Sequence, residues 1–232
     1  MAVNRRNFSP GSLRCGQVPT LAATLPSIPE QAERLIECGV HRIAGLPADR
    51  VRAAARHVFG SGAILAVHHD LAPASALTPL LRRAGKPGFV VSDMTDVDDF
   101  TPIPAADVPD APLYLVFDLD RGDAMANWSP DEALPGIVDA GRTPLTLTEG
   151  VHWLLQQPDA LKRGHCFMTI GSRLTKPSGA VDARTPALWI SNGTGRDGKA
   201  NRDAPKVGWC WAGNRHTWLG FGSAGRRVSV DG

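Results

Sequence analysis

The sequence predicts a mixed α/β fold of the α+β kind. N-terminal helices surround a short parallel sheet, and a C-terminal antiparallel, Trp-rich sheet comes after them. Three observations carry that expectation. Helix-start signatures recur at Ser27, Ser129 and Thr146. Short, unbroken apolar runs stand between them. Beyond residue 160 the helix signals stop: residues 161–232 hold 12 of the 24 Gly, and four of the six Trp lie between 189 and 218.

Each element has its own local signal. Ser27-Ile28-Pro29-Glu30 reads as a capping box, a hydroxyl for the unpaired N–H groups of the first turn and a carboxylate three residues on. Leu35 and Ile36 give that helix an apolar face, and Gly39 stops it. A second helix fits Ala48 to His57, ending near Gly60. Ala63–Val67 is a buried strand, residues 74–83 look helical, and Gly88–Val91 is another strand. Strand, helix, strand at this spacing predicts a parallel pair with a crossover. The Asp- and Pro-rich stretch 93–111 is a surface connection, and Leu113–Phe117 a third buried strand. Ser129-Pro130-Asp131-Glu132 starts a helix that ends before Gly141, and Thr146-Leu147-Thr148-Glu149 starts one that stops at Pro158. Cys166–Arg173, Pro186–Ser191 and Lys206–Ala212 read as strands without intervening helices, hence antiparallel, and 192–205 as an exposed loop. Residues 1–26 read as a flexible tail ahead of a single α/β domain over 27–232. In that domain 27–160 is helix-rich with the parallel strands, and 161–232 holds the antiparallel strands and Gly/Trp-rich loops.

Composition narrows the function classes. With 25 Lys+Arg against 23 Asp+Glu in 232 residues the net charge is +2, so nucleic acid is not an expected partner. No run of 18 apolar residues occurs, so no membrane span is expected. Arg5-Arg6-Asn7-Phe8 resembles a twin-arginine export signal, but Pro10, Arg14, Gln17, Pro19 and Pro26 interrupt every candidate apolar core behind it. The expected location is therefore cytoplasmic, with Cys15, Cys38, Cys166 and Cys210 as free thiols. Charge is unevenly placed: residues 93–123 sum to −8 and 161–232 to +8. Either the two regions complement each other within the fold, or the basic one holds an anion.

Three motifs are weaker than they look. Gly193-Thr194-Gly195-Arg196-Asp197-Gly198 matches a phosphate-binding pattern, but Lys199–Pro205 behind it has no apolar face for the helix that chemistry needs, so a loop is expected. Asp118-Leu119-Asp120 at a strand end resembles a dehalogenase-type phosphatase pair. It lacks the downstream acidic residues, and an Asp-bonded turn is expected. His68-His69-Asp70 ends the first strand. Neighbouring strand residues point to opposite faces, so the two imidazoles are not expected on one metal.

The chemistry-bearing residues gather in the C-terminal part. Alternation along Lys206–Ala212 puts Trp209 and Trp211 on one face and Cys210 on the other. Gly213 then delivers Asn214, His216 and Trp218 to a loop. Such a surface suits either a ligand pocket or the core of a small sheet. Three chemistries fit. Cys166 or Cys210 could be a thiolate activated by His216 or His165. Cys166, Cys210 and His216 could hold zinc with an open fourth position. Arg173, Arg226 and Arg227 could bind a carboxylate or phosphate. The leading expectation is an enzyme acting on a small molecule, which the arginines would allow to be anionic. His216 is its acid/base, Cys166 or Cys210 a nucleophile or thiol wall, and Asn214 a hydrogen-bond donor. Trp189, Trp209 and Trp218 form apolar walls, and Arg173 or Arg226 holds an anionic group. No resident cofactor is assigned, zinc being the one candidate. The competing class is a non-catalytic ligand-binding, immunity or scaffold module that uses the Trp surface.

The segments from Ala140 to Gly150, Thr185 to Ser191 and Gly208 to Gly220 resemble an uncharacterised actinobacterial family, a domain of unknown function. The resemblance runs from about residue 30 to the C-terminal end, and the Gly208–Gly220 string is its most specific part. It implies origin in an actinobacterium, and it brings no activity and no catalytic residue. It also implies two departures, Arg215 in place of Pro and Ser223 in place of Cys, both expected to touch the site.

Overall fold

The computed structural model describes residues 24–56 and 62–230. The twin-arginine-like motif, Cys15 and the rest of residues 1–23 lie outside them, as do His57 and Gly60 at the expected end of the second helix.

Three capping boxes form at the expected positions. Ser27 starts α1 (Ile28–Glu37), with Glu30 accepting the Ser27 N–H at 2.8 Å. The short helices α2 (Val40–Ile43) and α3 (Ala48–Ala55) come next, then β1 (Ala63–Val67), buried along its whole length. The stretch 74–83 is not one helix. It is a single turn, α4 (Ala74–Leu77), a 3-10 turn, and then a hairpin of β2 (Arg82–Arg83) and β3 (Lys86–Pro87). Ala84 and Gly85 both take positive φ, the mirror-image turn that reverses a chain between strands, so a helix cannot continue through them. Beyond the hairpin lie β4 (Phe89–Val90), β5 (Thr101–Pro102) and β6 (Leu113–Phe117). Ser129 and Thr146 cap α5 (Pro130–Asp139) and α6 (Leu147–Gln156), which flank β7 (Thr143–Pro144). The remainder is β8 (Cys166–Met168), β9 (Ser172–Arg173), β10 (Arg184–Ile190), β11 (Pro205–Trp211), β12 (Leu219–Phe221), β13 (Ser223–Ala224) and β14 (Arg226–Ser229).

The fold is mixed α/β, with the expected antiparallel C-terminal strands at its centre. The main sheet has the order β12-β8-β10-β11-β4. Its three middle strands are antiparallel, with Ala187 opposite both Met168 and Gly208. Parallel pairing occurs at the two edges, β12 on β8 and β4 on β11. This corrects the expected parallel pair: β1 runs antiparallel to β6, and β14 adds to the other side of β6. The physical reason is the hairpin at 82–87. Without a crossover helix the chain does not return alongside β1. Instead Gly88 packs so tightly on the preceding turn that a Cβ there would sit 2.3 Å from the Thr78 carbonyl oxygen, and β4 joins β11.

The free edge of β1 is covered by side chains. Buried Gln31 donates to the Ala63 carbonyl at 2.8 Å and accepts the Leu65 N–H at 2.9 Å. Buried His152 accepts the Val67 N–H at 3.3 Å through Nε2. An amide and an imidazole thus satisfy backbone groups that a further strand would otherwise pair.

The main core lies between these sheets and draws on α1, α6, β1, β6 and one face of the main sheet, through Phe167, Leu188 and Val207. α6 approaches that face very closely at Gly150, where a Cβ would lie 2.6 Å from Leu188 Cδ1 and 2.8 Å from Thr169 Cγ2. On the opposite face a smaller cluster joins Met168, Ala187 and Phe221 to Ala133 and Ile137 of α5. The predicted strand Cys166–Arg173 is split in two. Gly171 bonds the Leu145 carbonyl at 2.9 Å, and a Cβ there would meet two carbonyl oxygens at 2.6 Å, so the chain leaves the ladder to cross the segment before α6.

The uneven charge is used within the fold. From the acidic stretch, Asp96 pairs with Arg184 at 2.6 Å and Asp123 lies 3.5 Å from Lys162. Arg184 also reaches Asp182 at 3.0 Å. Other C-terminal cations have their own carboxylates: Arg163 with Asp203, Lys206 with Asp197 and Arg227 with Glu149.

Candidate functional site

α5 covers only part of the second face of the main sheet. The uncovered part is the floor of a cleft of about 420 Å³. Strand alternation explains the floor: Cys166 and Met168 of β8, Ala187 and Trp189 of β10, and Cys210 of β11 border it. The chain beyond β11 folds back to form a wall from His216, Trp218 and Leu219, and His165 closes another side. Trp209 packs against the main core and also borders the cleft. It meets Trp211 edge-on at 4.6 Å, as two residues on the same strand face should.

Two aromatic pieces are fixed by their neighbours. Trp189 lies over Gly208, where a Cβ would come within 2.7 Å of its ring, and under the Lys206 ammonium, 4.3 Å from the ring centre. Lys206 is buried and gripped by Asp197 at 2.6 and 2.7 Å, and Asp197 accepts from Ser191 at 2.8 Å. This network ties the 192–204 loop to the sheet beneath Trp189. His216 and Trp218 stack, with ring centres 4.5 Å apart and planes 18° from parallel, and Trp218 is 50 % exposed.

The Cys38, Cys166 and Cys210 thiols are free. Burial pushes the Cys166 thiol up to about 12, helped by Cys210 nearby, and its Sγ contacts the Trp218 carbonyl at 3.7 Å. At neutral pH Cys166 is therefore a protonated, apolar wall. Burial also raises Cys210, but the Trp211 backbone and the Asn214 side chain oppose that rise. Cys210 and Asn214 are thus neighbours.

Of the expected site residues, the fold brings Cys166, Trp189, Trp209, Cys210, His216 and Trp218 to one cleft, with Asn214 against Cys210. It does not bring the arginines. Arg173 sits on β9 and donates to the Asp182 carbonyl at 3.0 Å. Arg226 lies over the Phe117 ring at 4.5 Å on the second sheet. Arg227 is buried against Glu149. Among the described residues no Lys or Arg borders the cleft. Cys166, Cys210 and His216 do not form a triad with ligand atoms within 4.8 Å of one another. The two departures from the resembled family fall elsewhere: Arg215 pairs with Glu132, and Ser223 accepts from Arg142 at 2.9 Å.

The weaker motifs resolve as turns. Gly193, Gly195 and Gly198 all have positive φ, and the chain beyond them forms only a three-residue 3-10 turn, Lys199–Asn201. Asp120 accepts the Gly122 N–H at 2.8 Å through Oδ1, the Asp-bonded turn expected there. His165 lines the cleft as well, and its place was legible only as an alternative base for the thiols.

The fold and cleft together define a mixed α/β protein with an aromatic, thiol-lined cavity on one sheet face. The chain belongs to the family of unknown function DUF5701, whose model matches residues 34–230. No curated protein and no solved structure matches it. Among the described residues no helix is long and apolar enough to cross a membrane.

Proposed function

We propose that this protein is an enzyme acting on a small molecule in actinobacterial specialised metabolism, and that its site is the cleft over β8, β10 and β11. The observation that carries this reading is the lining: flat rings at Trp189, His216 and Trp218, two thiols, and, among the described residues, no Lys, Arg, Asp or Glu. Such walls suit an uncharged, flat ligand that stacks and offers one or two polar atoms. His216 serves as acid/base, Asn214 and Cys210 as the polar pair, and Cys166 as an apolar wall. Arg173 and Arg226 take no part, so the anionic substrate they suggested is replaced by an uncharged one. An Arg-over-Lys ratio of 20 to 5 supports the GC-rich, actinobacterial source.

The test is a panel of uncharged aromatic and heteroaromatic compounds, read by thermal shift, tryptophan fluorescence and product formation. The expected result is binding by the wild type, at least tenfold weaker binding in Trp218→Ala, and binding without turnover in His216→Asn. A specific observation favours a second reading, a non-catalytic module: Trp128, Trp211 and Trp218 are 41 %, 46 % and 50 % exposed. A stable protein complex, with no compound binding in the cleft, would decide for that module.

A further inference from the structure

A second chemical feature lies on the α6 side of the main sheet, at the end of β1. Strand geometry ends at Val67. The chain then curls, with the Leu71 and Ala72 N–H groups both bonding the His68 carbonyl at 3.0 and 3.1 Å. That turn removes the strand alternation that would have sent the two imidazoles to opposite faces. Their ring centres come within 4.3 Å, tilted by 44°. The Asp70 carboxylate sits between them, Oδ1 3.1 Å from His69 Nε2 and Oδ2 3.5 Å from His68 Nδ1.

We infer that His68, His69 and Asp70 form a binding site for one divalent ion of the zinc class. Among the described residues this is the one group of three His, Cys, Asp or Glu side chains with all ligand atoms within 4.8 Å of one another. Two ligand atoms at the usual bond lengths around a tetrahedral zinc stand about 3.3 Å apart. Each imidazole nitrogen lies near that distance from one of the two Asp70 oxygens, 3.1 Å to Oδ1 and 3.5 Å to Oδ2, and an ion would displace the long 3.4 Å hydrogen bond that the Asp70 N–H makes to His68 Nδ1. The donor set of two imidazoles and one carboxylate suits zinc, cobalt or iron and is too nitrogen-rich for magnesium or calcium. The two imidazole side chains are only 15 % and 22 % exposed while that of Asp70 is 72 % exposed, so the ion is held from the protein side and open to solvent on the other. Three protein ligands with an open position is the arrangement of a reactive site rather than a purely structural one. There is also room for a supporting water. His69 Nδ1 is buried without a partner among the described residues. His69 also borders a cavity of about 20 Å³ with Thr148 and Ser172, enough for one water to accept its N–H once Nε2 is on the metal.

The experiment is Co²⁺ and Zn²⁺ titration of the full chain, read by visible absorption for cobalt and by metal content after gel filtration for zinc. The expected result is one ion per chain, cobalt bands of a tetrahedral site without thiolate charge transfer, and full retention in a Cys166→Ser, Cys210→Ser double variant. His68→Gln and Asp70→Asn should each weaken binding about tenfold or more, and Asp70 is exposed enough for its variant to fold normally. Failure of the wild type to retain one equivalent would overturn the assignment, as would undiminished binding in both variants. Neither outcome bears on the cleft, whose ligand is tested separately.

Discussion

Glu149 and Arg227 form a two-pronged ion pair, Nε to Oε1 at 2.6 Å and Nη2 to Oε2 at 2.7 Å, with both side chains withdrawn from solvent. Glu149 also accepts the Thr146 N–H at 2.9 Å and the Tyr114 hydroxyl at 3.1 Å, and Arg227 donates to Thr143 Oγ1 and the Pro144 carbonyl. One carboxylate therefore caps α6, holds β6 and fixes β14. Its fully paired oxygens are what make burial of the charges tolerable. Replacement by Gln leaves the guanidinium buried and unpaired, so Glu149→Gln should lower unfolding free energy by about 3–5 kcal/mol in urea titration. A loss under about 1 kcal/mol would show the pair to be dispensable.

Gly150 is the second point where α6 is fixed. A methyl group there meets Leu188 and Thr169 at less than contact distance. Gly150→Ala should cost about 1–3 kcal/mol despite the better helix propensity of Ala, because overpacking outweighs it. Thermal unfolding of the variant checks the sign.

At the cleft, Gly208→Ala should displace the Trp189 ring while leaving the strand intact. The expected readout is a shifted tryptophan emission, and weaker binding of any cleft ligand, with a melting temperature close to wild type. An unchanged spectrum would mean that Trp189 is not seated on Gly208.

Cys166 should be slow toward electrophiles. Its pKa of about 12, against an ordinary 9.0, leaves little thiolate at pH 8. Allowing for the greater nucleophilicity of a high-pKa sulfur, alkylation by iodoacetamide should be roughly fiftyfold slower than for an exposed cysteine. The stability consequence has a definite sign. The folded pKa lies above the unfolded one, so this contribution is complete below pH 9 and is lost as pH rises from 9 toward 12. Peptide-resolved alkylation rates measure the first effect and alkaline unfolding curves the second.

Asp182 behaves in the opposite sense. The Arg184 guanidinium holds its carboxyl at about 2, below the ordinary 3.8, and holds Asp96 down as well. Stability from this cluster is present above pH 3.8 and is lost as pH falls from 3.8 toward 2. Arg184→Met should flatten that acid limb. An identical acid profile in the variant would exclude the cluster as its source.

Local signals in the sequence carried much of the fold. Ser27, Ser129 and Thr146 cap their helices because a capping box needs only a hydroxyl and a carboxylate three residues apart. The three central strands were legible from their apolar runs. Their partners were not, since pairing depends on where the intervening chain goes. The Ala84-Gly85 turn, which decides that β4 joins β11, gives little sign of itself because Ala rarely takes positive φ. At the site, Cys166, Cys210, His216 and Trp218 stood out by clustering of residue type. The arginines did not join them because register decides direction: on β14 Arg226 faces Phe117, and its neighbour Arg227 turns to the interior. His68 and His69 escaped strand alternation for the related reason that the strand ends one residue before them.

The place of β14 in the second sheet has a consequence for how the molecule is made. Glu149 and its partner are separated by 78 residues of chain. A ribosome delivers α6 long before it delivers Arg227, so the helix waits through the synthesis of β8, β10, β11 and β12 with an uncompensated charge at its first turn. Until β14 is made, burying that turn would leave the Glu149 charge unpaired, so the contact of Glu149 with Tyr114 of β6 is expected to close late, when Arg227 brings the missing cation.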